Sequence, residues 1–199
     1  RALAYQLYEN NGVLKREVVS EYLKKLGQDE RKILRDMGVK FGRYHVFLFK
    51  LLKPEPVSLR IILWKNFHRK FFNLTPPTFG LNFLENKKSI NSNFMLLCGF
   101  EKFDKYFIRI DILERLFVLI INSNPDTKSE IKLTSEMLNL LGCSKDNFLK
   151  LIKEMNYKTY KKNDDFFFKY SPSKKESGIN KKIVVNNNPF EKLKEINFK

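Results

Sequence analysis

The stretch Thr134–Tyr170, TSEMLNLLGCSKDNFLKLIKEMNYKTYKKNDDFFFKY, carries the clearest structural pattern of the chain. Thr134 or Ser135 can cap a first helix, because a side-chain oxygen at that position accepts a free amide of the first turn. Gly142 suits the turn that ends this helix, and Ser144 can cap a second helix with regularly spaced apolar residues. The stretch therefore begins with two short helices in tandem.

A hairpin is predicted after these two helices. The runs YKTYKK and FFFKY flank Asn163–Asp165, a turn sequence between two segments rich in aromatic residues. A further helix, Asp111–Asn122, precedes the block, and the carboxylate of Asp111 suits the N-terminus of that helix. Three helices followed by a hairpin is the order of a winged helix. Residues 94–171 are therefore predicted to form a winged-helix-like subdomain.

The start of the chain favours helices. Apolar residues among the first 26 positions recur at helical spacing, and a third helix, Gln28–Met37, ends at Gly38, which suits a left-handed cap. Val39–Leu48 is rich in β-branched and aromatic residues, so it is either extended or a turn that leads into a short helix. Pro54 stops that segment, and Pro56 suits the first turn of the next helix.

These patterns predict a mainly α fold with small β-hairpins. An N-terminal helical subdomain covers residues 1–71, a linker rich in Pro, Gly, Asn and Ser covers residues 72–93, and the winged-helix-like subdomain covers residues 94–171. Within the last of these, Phe94–Gly99 has the composition of a short strand. Residues 172–199 are polar and lack periodicity, so they are predicted to form a basic, disordered tail.

The net charge of +16 on 23.7 kDa indicates a polyanionic partner. Nucleic acid is favoured over a membrane surface as that partner. The alternative is genome composition, since an AT-rich genome writes Lys where others write Arg or Ala. The longest uncharged apolar run, Leu116–Asn122, is far shorter than the roughly 20 residues of a membrane span, so a soluble protein is predicted. The cysteine usage favours the cytosol. Because Arg1 lies within an amphipathic pattern, we expect the chain to be part of a longer polypeptide.

The common catalytic signatures are missing from the sequence. It contains no phosphate-binding loop, no Gly-rich dinucleotide turn and no HExxH or GxSxG motif, so no catalytic residue is predicted. Cys98 and Cys143 lack the spacing of a zinc site, and neither a metal nor a cofactor is expected in this segment. His45 is predicted to be a packed or surface residue and not a catalytic one. Asp111 and Glu114 are predicted to provide helix capping and local ion pairs.

Lysines beside aromatic residues mark the predicted nucleic-acid contacts. The second helix of the winged-helix-like block is predicted to be the recognition element, and the strands behind it supply further lysines and stacking aromatics. A second basic cluster surrounds aromatic residues in the first half of the chain. A solvated face on a module that binds protein is the alternative. The predicted contact residues are Lys40, Arg43, Lys65, Lys145, Lys150, Lys153, Lys158, Tyr160, Lys161 and Lys162.

Three stretches of the chain are distinctive: GVKFGRYHVFLFKLLKP at 38–54, RIDILERL at 109–116 and LLGCSKDNFLKLIKEMNY at 140–157. In order and spacing they resemble the C-terminal region of bacterial DEAD/DEAH-box helicases of superfamily 2, the alphaproteobacterial relatives of the mitochondrial degradosome RNA helicase. The sequence PFEKL near the end resembles the terminal motif of that family. Arg43 and Phe49 depart from the family pattern, in which a small residue and a proline are expected.

The resemblance implies that two RecA-like motor domains precede residue 1, bind ATP and Mg²⁺, and track a strand. The present region is then expected to grip nucleic acid, RNA in preference to DNA, and to couple stepping to strand separation. Its partners are nucleic acid and the motor domains of the same chain. A stand-alone winged-helix nucleic-acid-binding regulator and a protein-docking adaptor are the alternatives.

Overall fold

A computed structural model describes residues 1–69, 73–86, 91–123 and 130–171 of the chain. The predicted tail, residues 172–199, lies outside the described residues. The described residues form three consecutive units, each of which combines helices with a three-stranded antiparallel sheet. The predicted class, helices with small antiparallel β elements, is thereby confirmed. Among the described residues, no helix has the length and apolar character needed to cross a membrane.

The first unit contains a sheet in addition to the expected helices. Its elements are α1 (Ala2–Glu9), β1 (Val13–Lys15), α2 (Ser20–Lys25), α3 (Gln28–Asp36), β2 (Val39–Phe41) and β3 (His45–Leu48). β3 lies between β1 and β2 and pairs with both. Residues 1–71 therefore do not form a purely helical subdomain. β2 and β3 lie within Val39–Leu48, for which an extended segment was one of the two alternatives, whereas β1, with three residues, carries too little periodicity for the sequence to reveal it.

The second unit includes the region, residues 72–93, in which a linker was expected. Its elements are α4 (Pro54–Phe67), β4 (Phe83–Glu85), α5 (Ser92–Leu97), β5 (Phe100–Lys102) and β6 (Tyr106–Arg109). β4 falls within residues 72–93 and pairs with β6, so this range is not only a linker. The expected strand over Phe94–Gly99 is wrong, since most of this range belongs to α5. The Asn91 side chain caps α5 by accepting the amides of Asn93 and Phe94.

The third unit matches the sequence-based expectation most closely. Its elements are α6 (Ile110–Ser123), β7 (Ile131–Lys132), α7 (Ser135–Leu141), α8 (Lys145–Glu154), β8 (Tyr157–Lys162) and β9 (Asp165–Tyr170). Thr134, one of the two predicted candidates, caps α7, and Ser144 caps α8 as predicted; Gly142 ends α7 as expected and is left-handed, with φ of 67°. Asp111 is not the predicted cap of α6, because its carboxylate instead accepts two hydrogen bonds from the guanidinium of Arg109, at 2.7 and 2.5 Å.

The three units repeat one arrangement. In each of them the first strand pairs with the last, so the sheet orders are β1–β3–β2, β4–β6–β5 and β7–β9–β8. The residue before each hairpin is left-handed: φ is 93° at Gly38, 88° at Gly99 and 66° at Asn156. Each of these amides bonds to a carbonyl three residues earlier and so ends the preceding helix. Gly and Asn reach this conformation with little strain, which explains why these residue types recur there.

A shared apolar cluster joins the units. Val13 and Phe47 of the first sheet pack in one buried cluster with Leu52 and with Ile110, the first residue of α6. Each unit also has its own buried core. The core of the first unit includes Val46, that of the second lies between α4 and α5, and that of the third is formed by α6, α8 and β9. The three units therefore pack against one another around the start of α6.

Candidate nucleic-acid interface

The sheet of the third unit has one face packed on helices and one face that points away from them. Side chains alternate between the two faces of a strand. Phe168 is fully buried, and its cross-strand partners Thr159 and Ile131 share its face. Tyr160 and Phe167 lie opposite each other on the other face. We call this second side of the sheet the outer face.

Two stacked aromatic rings occupy the centre of the outer face. The rings of Tyr160 and Phe167 lie 6.2 Å apart with an interplanar angle of 10°. Burial, together with the nearby Glu130 carboxylate, raises the pKa of Tyr160 to about 12, so its phenol stays neutral. Neither ring is fully buried. A neutral aromatic pair on a sheet offers a surface on which a base can stack.

Lysines surround the aromatic pair. Lys132 is the cross-strand partner of Phe167 and forms an ion pair with Asp165 at 2.5 Å. Lys162 forms an ion pair with Glu130 at 2.6 Å, and its ammonium lies 5.4 Å from the centre of the Tyr160 ring. The hydrogen bond from Lys162 is the main cause of the lowered pKa of Glu130. These two lysines are held in place beside the rings.

Two further lysines of the outer face oppose each other directly. Lys158 and Lys169 are cross-strand partners, and both are exposed. Within the part of the chain that the structure describes, neither has a carboxylate at ion-pair distance. Like charges directly opposite one another destabilise a sheet. A phosphate bound between them would relieve that repulsion, so the pair is a candidate phosphate contact.

The predicted contact residues of the hairpin do not all share this face. Lys158, Tyr160 and Lys162 lie on the outer face, whereas Lys161 alternates to the other side and pairs with Asp164 at 2.6 Å. Lys145, at the start of α8, places its ammonium 4.0 Å from the centre of the Phe166 ring, which also lies on the helix side of the sheet. The structure therefore separates the predicted set into two groups.

The predicted recognition helix, α8, has one side turned to the second unit. Asn147 donates to Glu85 at 3.0 Å and accepts from the Tyr106 hydroxyl at 3.3 Å. The Glu154 carboxylate accepts the backbone amide of Asp104 at 3.0 Å. The lysines of the helix that remain exposed are Lys145, Lys150 and Lys153. Part of the surface of the predicted recognition helix is thus taken up by contact between units.

The predicted contacts of the first half also separate. Lys40 and Arg43 are exposed and line a groove between the first hairpin and α6. Lys65 is half-buried on α4 of the second unit and is not among the residues that line this groove.

A buried polar network that sequence reasoning missed links the three units. The Glu114 carboxylate of α6 accepts the backbone amides of Arg43, Tyr44 at 2.9 Å and His45 at 2.8 Å. Gly42 completes this turn, since a Cβ at that position would overlap the carboxylate. The residues GRYH form this turn, with the histidine facing inward. Their partner Glu114 lies 69 to 71 residues further along the chain, too far for a local sequence pattern to pair them.

His45 lies between two carboxylates. Its side chain is almost fully buried, with Nδ1 at 3.2 Å from Glu114 and Nε2 at 3.0 Å from Glu101 of the second unit. Lys15 of β1 pairs with the other oxygen of Glu101 at 2.7 Å. Burial alone would lower the pKa of His45, but hydrogen bonds and charge from Glu101 and Glu114 outweigh burial and raise it. His45 is thus a packed residue, and its contacts with Glu101 and Glu114 join the three units.

The stability of the protein is expected to depend on pH through His45. Its folded pKa lies above 6.5, so its contribution is complete below pH 6.5 and is lost as the pH rises through the folded value. For Glu101, burial raises the pKa, but His45 and Lys15 lower it below 4.5, so its contribution is lost as the pH falls through that lowered value.

Urea unfolding from pH 4.5 to about pH 9 measures this dependence. The stability difference between the wild-type protein and His45→Gln is expected to be largest near pH 6 and to shrink as the medium becomes alkaline. The variant is the control, because it keeps a polar side chain and has no titrating ring. A difference that stays constant across the range would contradict a protonated His45.

The cysteines offer no reactive thiolate. Burial raises the pKa of Cys98 to about 12 and that of Cys143 to about 11, so both thiols stay protonated. Over residues 1–69, 73–86, 91–123 and 130–171, no three His, Cys, Asp or Glu side chains form a group suited to a metal ion.

Comparison with family models, with curated proteins and with solved structures finds no match for this chain.

Proposed function

We propose that this chain is a nucleic-acid-binding accessory region of an ATP-dependent helicase and that it holds a single strand against the outer face. The observation that carries the proposal is the stacked pair Tyr160 and Phe167 within a ring of lysines. Aromatic rings bind bases without sequence preference, and lysines bind the phosphates between them. RNA is proposed in preference to DNA, in keeping with the resemblance to RNA helicases.

The helicase assignment rests on the resemblance of the three stretches to the superfamily 2 C-terminal region. Two of them, residues 38–54 and 109–116, contain the turn of the first hairpin and Glu114, which meet in the structure. ATP and Mg²⁺ would bind to motor domains elsewhere in the polypeptide, and the present region would supply grip and coupling. Cytoplasmic location is part of the same proposal.

Each unit is proposed to be winged-helix-like. The support is the strand order, in which the first strand pairs with the last and the hairpin follows the helices. In a typical winged helix the second of the paired helices reads the major groove of a duplex. Here α8 partly faces the second unit through Asn147 and Glu154. The outer face is therefore favoured as the surface that binds a single strand.

A protein-docking adaptor is the second candidate function, and α4 favours it. This helix carries apolar residues on all sides, and four of them are more than half exposed. A helix that is apolar all round is usually covered on all sides. The exposed residues are Leu59, Ile62, Leu63 and Phe67.

Fluorescence anisotropy with a labelled RNA dodecamer, the matching DNA and a duplex tests the proposal. Single strands are expected to bind more tightly than the duplex. Between about 50 and 200 mM salt the affinity should fall with a logarithmic slope of about −2 to −3, as three or four lysine–phosphate contacts require. Failure to bind at the lower salt would favour the adaptor, and preference for the duplex would favour a winged-helix regulator.

A further inference from the structure

A groove of about 660 Å³ lies between the first hairpin and α6. Its floor is formed by the buried rings of Phe47 and Phe117. Phe49, Val118 and Ile121 line its walls and are 37%, 54% and 55% exposed. A volume of this size with mostly apolar walls is typical of sites that hold a small molecule or cofactor.

The groove carries an excess of positive charge. Both of its carboxylates are already neutralised, Asp111 by Arg109 and Glu114 by three backbone amides and His45. Arg16 donates to the backbone carbonyl of Gly42. The lining residues whose cations have no carboxylate at ion-pair distance among the described residues are Arg16, Lys40, Arg43 and Arg115.

An apolar aromatic groove with cations at its rim matches the two parts of a nucleotide. The base would lie against Phe49 and the aliphatic wall, and the phosphate would lie at Arg43 and Arg115. A fully aliphatic partner would leave these cations without a counter-charge. Arginine is well suited to this role, because its planar guanidinium binds phosphate with two hydrogen bonds.

The groove connects with the surroundings of the third sheet. Arg43 lines both the groove and a second cavity of about 470 Å³. Tyr170 of β9 lines that second cavity, and it directly follows Lys169 of the outer face. Basic and aromatic residues therefore continue from the groove to the end of β9, where Tyr170 lies on the helix side of the sheet and its neighbour Lys169 on the outer face.

We propose that the groove takes up one nucleotide of the same single strand that the outer face binds. This inference rests on the proposed function. The strand would be held at two places, by stacking on Tyr160 and Phe167 and by insertion of a base beside Phe49. Holding one strand at two places raises its affinity above that of a free mononucleotide.

Photocrosslinking to an RNA dodecamer made of 5-iodouridine tests both sites in one experiment, because this base crosslinks to aromatic side chains on which it stacks. Peptide mapping by mass spectrometry is expected to find crosslinks in the Tyr160 and Phe167 strands and at Phe49. Val118→Glu adds a carboxylate to the groove and should lower the Phe49 crosslink by about tenfold, leaving the sheet crosslinks in place. The matched control is Leu59→Glu, which makes the same charge change at a 58% exposed site on α4.

The outcomes separate the two proposals. Crosslinks on the sheet with none at Phe49 would overturn the groove assignment and leave the proposed function standing. Crosslinks at neither site would overturn both. If uridine monophosphate at equal nucleotide concentration abolishes the Phe49 crosslink, the groove binds free nucleotides and the single-strand assignment is wrong. Circular dichroism of both variants establishes that each is folded before crosslinking.

Discussion

Replacement of Glu114 by alanine is expected to lower the free energy of unfolding by about 3–5 kcal/mol. The Glu114 carboxylate accepts three consecutive backbone amides of the first hairpin and contacts the ring of His45. Without it, these donors lie next to α6 with no acceptor, and a buried donor without a partner costs about 1–3 kcal/mol. His45 would also lose one of the two carboxylates that hold its proton.

Urea unfolding followed by circular dichroism measures this loss. Arg115→Ala is the matched control on the same helix, because Arg115 is exposed, and its replacement should change stability by no more than about 0.5 kcal/mol. Glu114→Gln keeps one acceptor oxygen and removes the charge, so it should fall between the two. A loss below about 1 kcal/mol for Glu114→Ala would mean that the contact between units contributes little to the fold.

Local signals in the sequence were sufficient for the caps and turns between Thr134 and Tyr170. A cap at Thr134 or Ser135, the cap Ser144, the helix end at Gly142 and the turn at Asn163–Asp165 were predicted, and the structure confirms them with Thr134 as the first cap. Each of these features depends on residues within four positions of one another. Physical rules for caps and turns act over this range, so no tertiary information was needed.

Tertiary contacts explain what the sequence did not reveal. Glu114 was expected to form local ion pairs on its own helix, yet its partners are 69 to 71 residues away in the chain. The strands of the first two sheets are three or four residues long, and the threefold repeat is marked mainly by Gly38, Gly99 and Asn156. The sequence alone did not distinguish the lysines of the hairpin from one another. The strand register places Lys161 on the opposite side of the sheet from Lys158 and Lys162.

Reversal of charge at both Lys158 and Lys169 is expected to weaken single-strand binding by tenfold or more, since it replaces two phosphate contacts by repulsion. The fold should tolerate the double change, because the variant exchanges one like-charge pair for another at the same cross-strand position. Lys169→Glu alone would place opposite charges face to face. It should therefore stabilise the sheet by a few tenths of a kcal/mol and still weaken binding.

The most direct test of the outer face compares two double variants by anisotropy against the RNA dodecamer. Lys158→Glu with Lys169→Glu alters the sheet, and Lys150→Glu with Lys153→Glu makes the same charge change on α8 of the same unit. We predict a loss of affinity of tenfold or more for the sheet variant and of no more than about threefold for the helix variant. A larger loss for the helix variant would contradict the outer face as the binding surface and assign that role to α8.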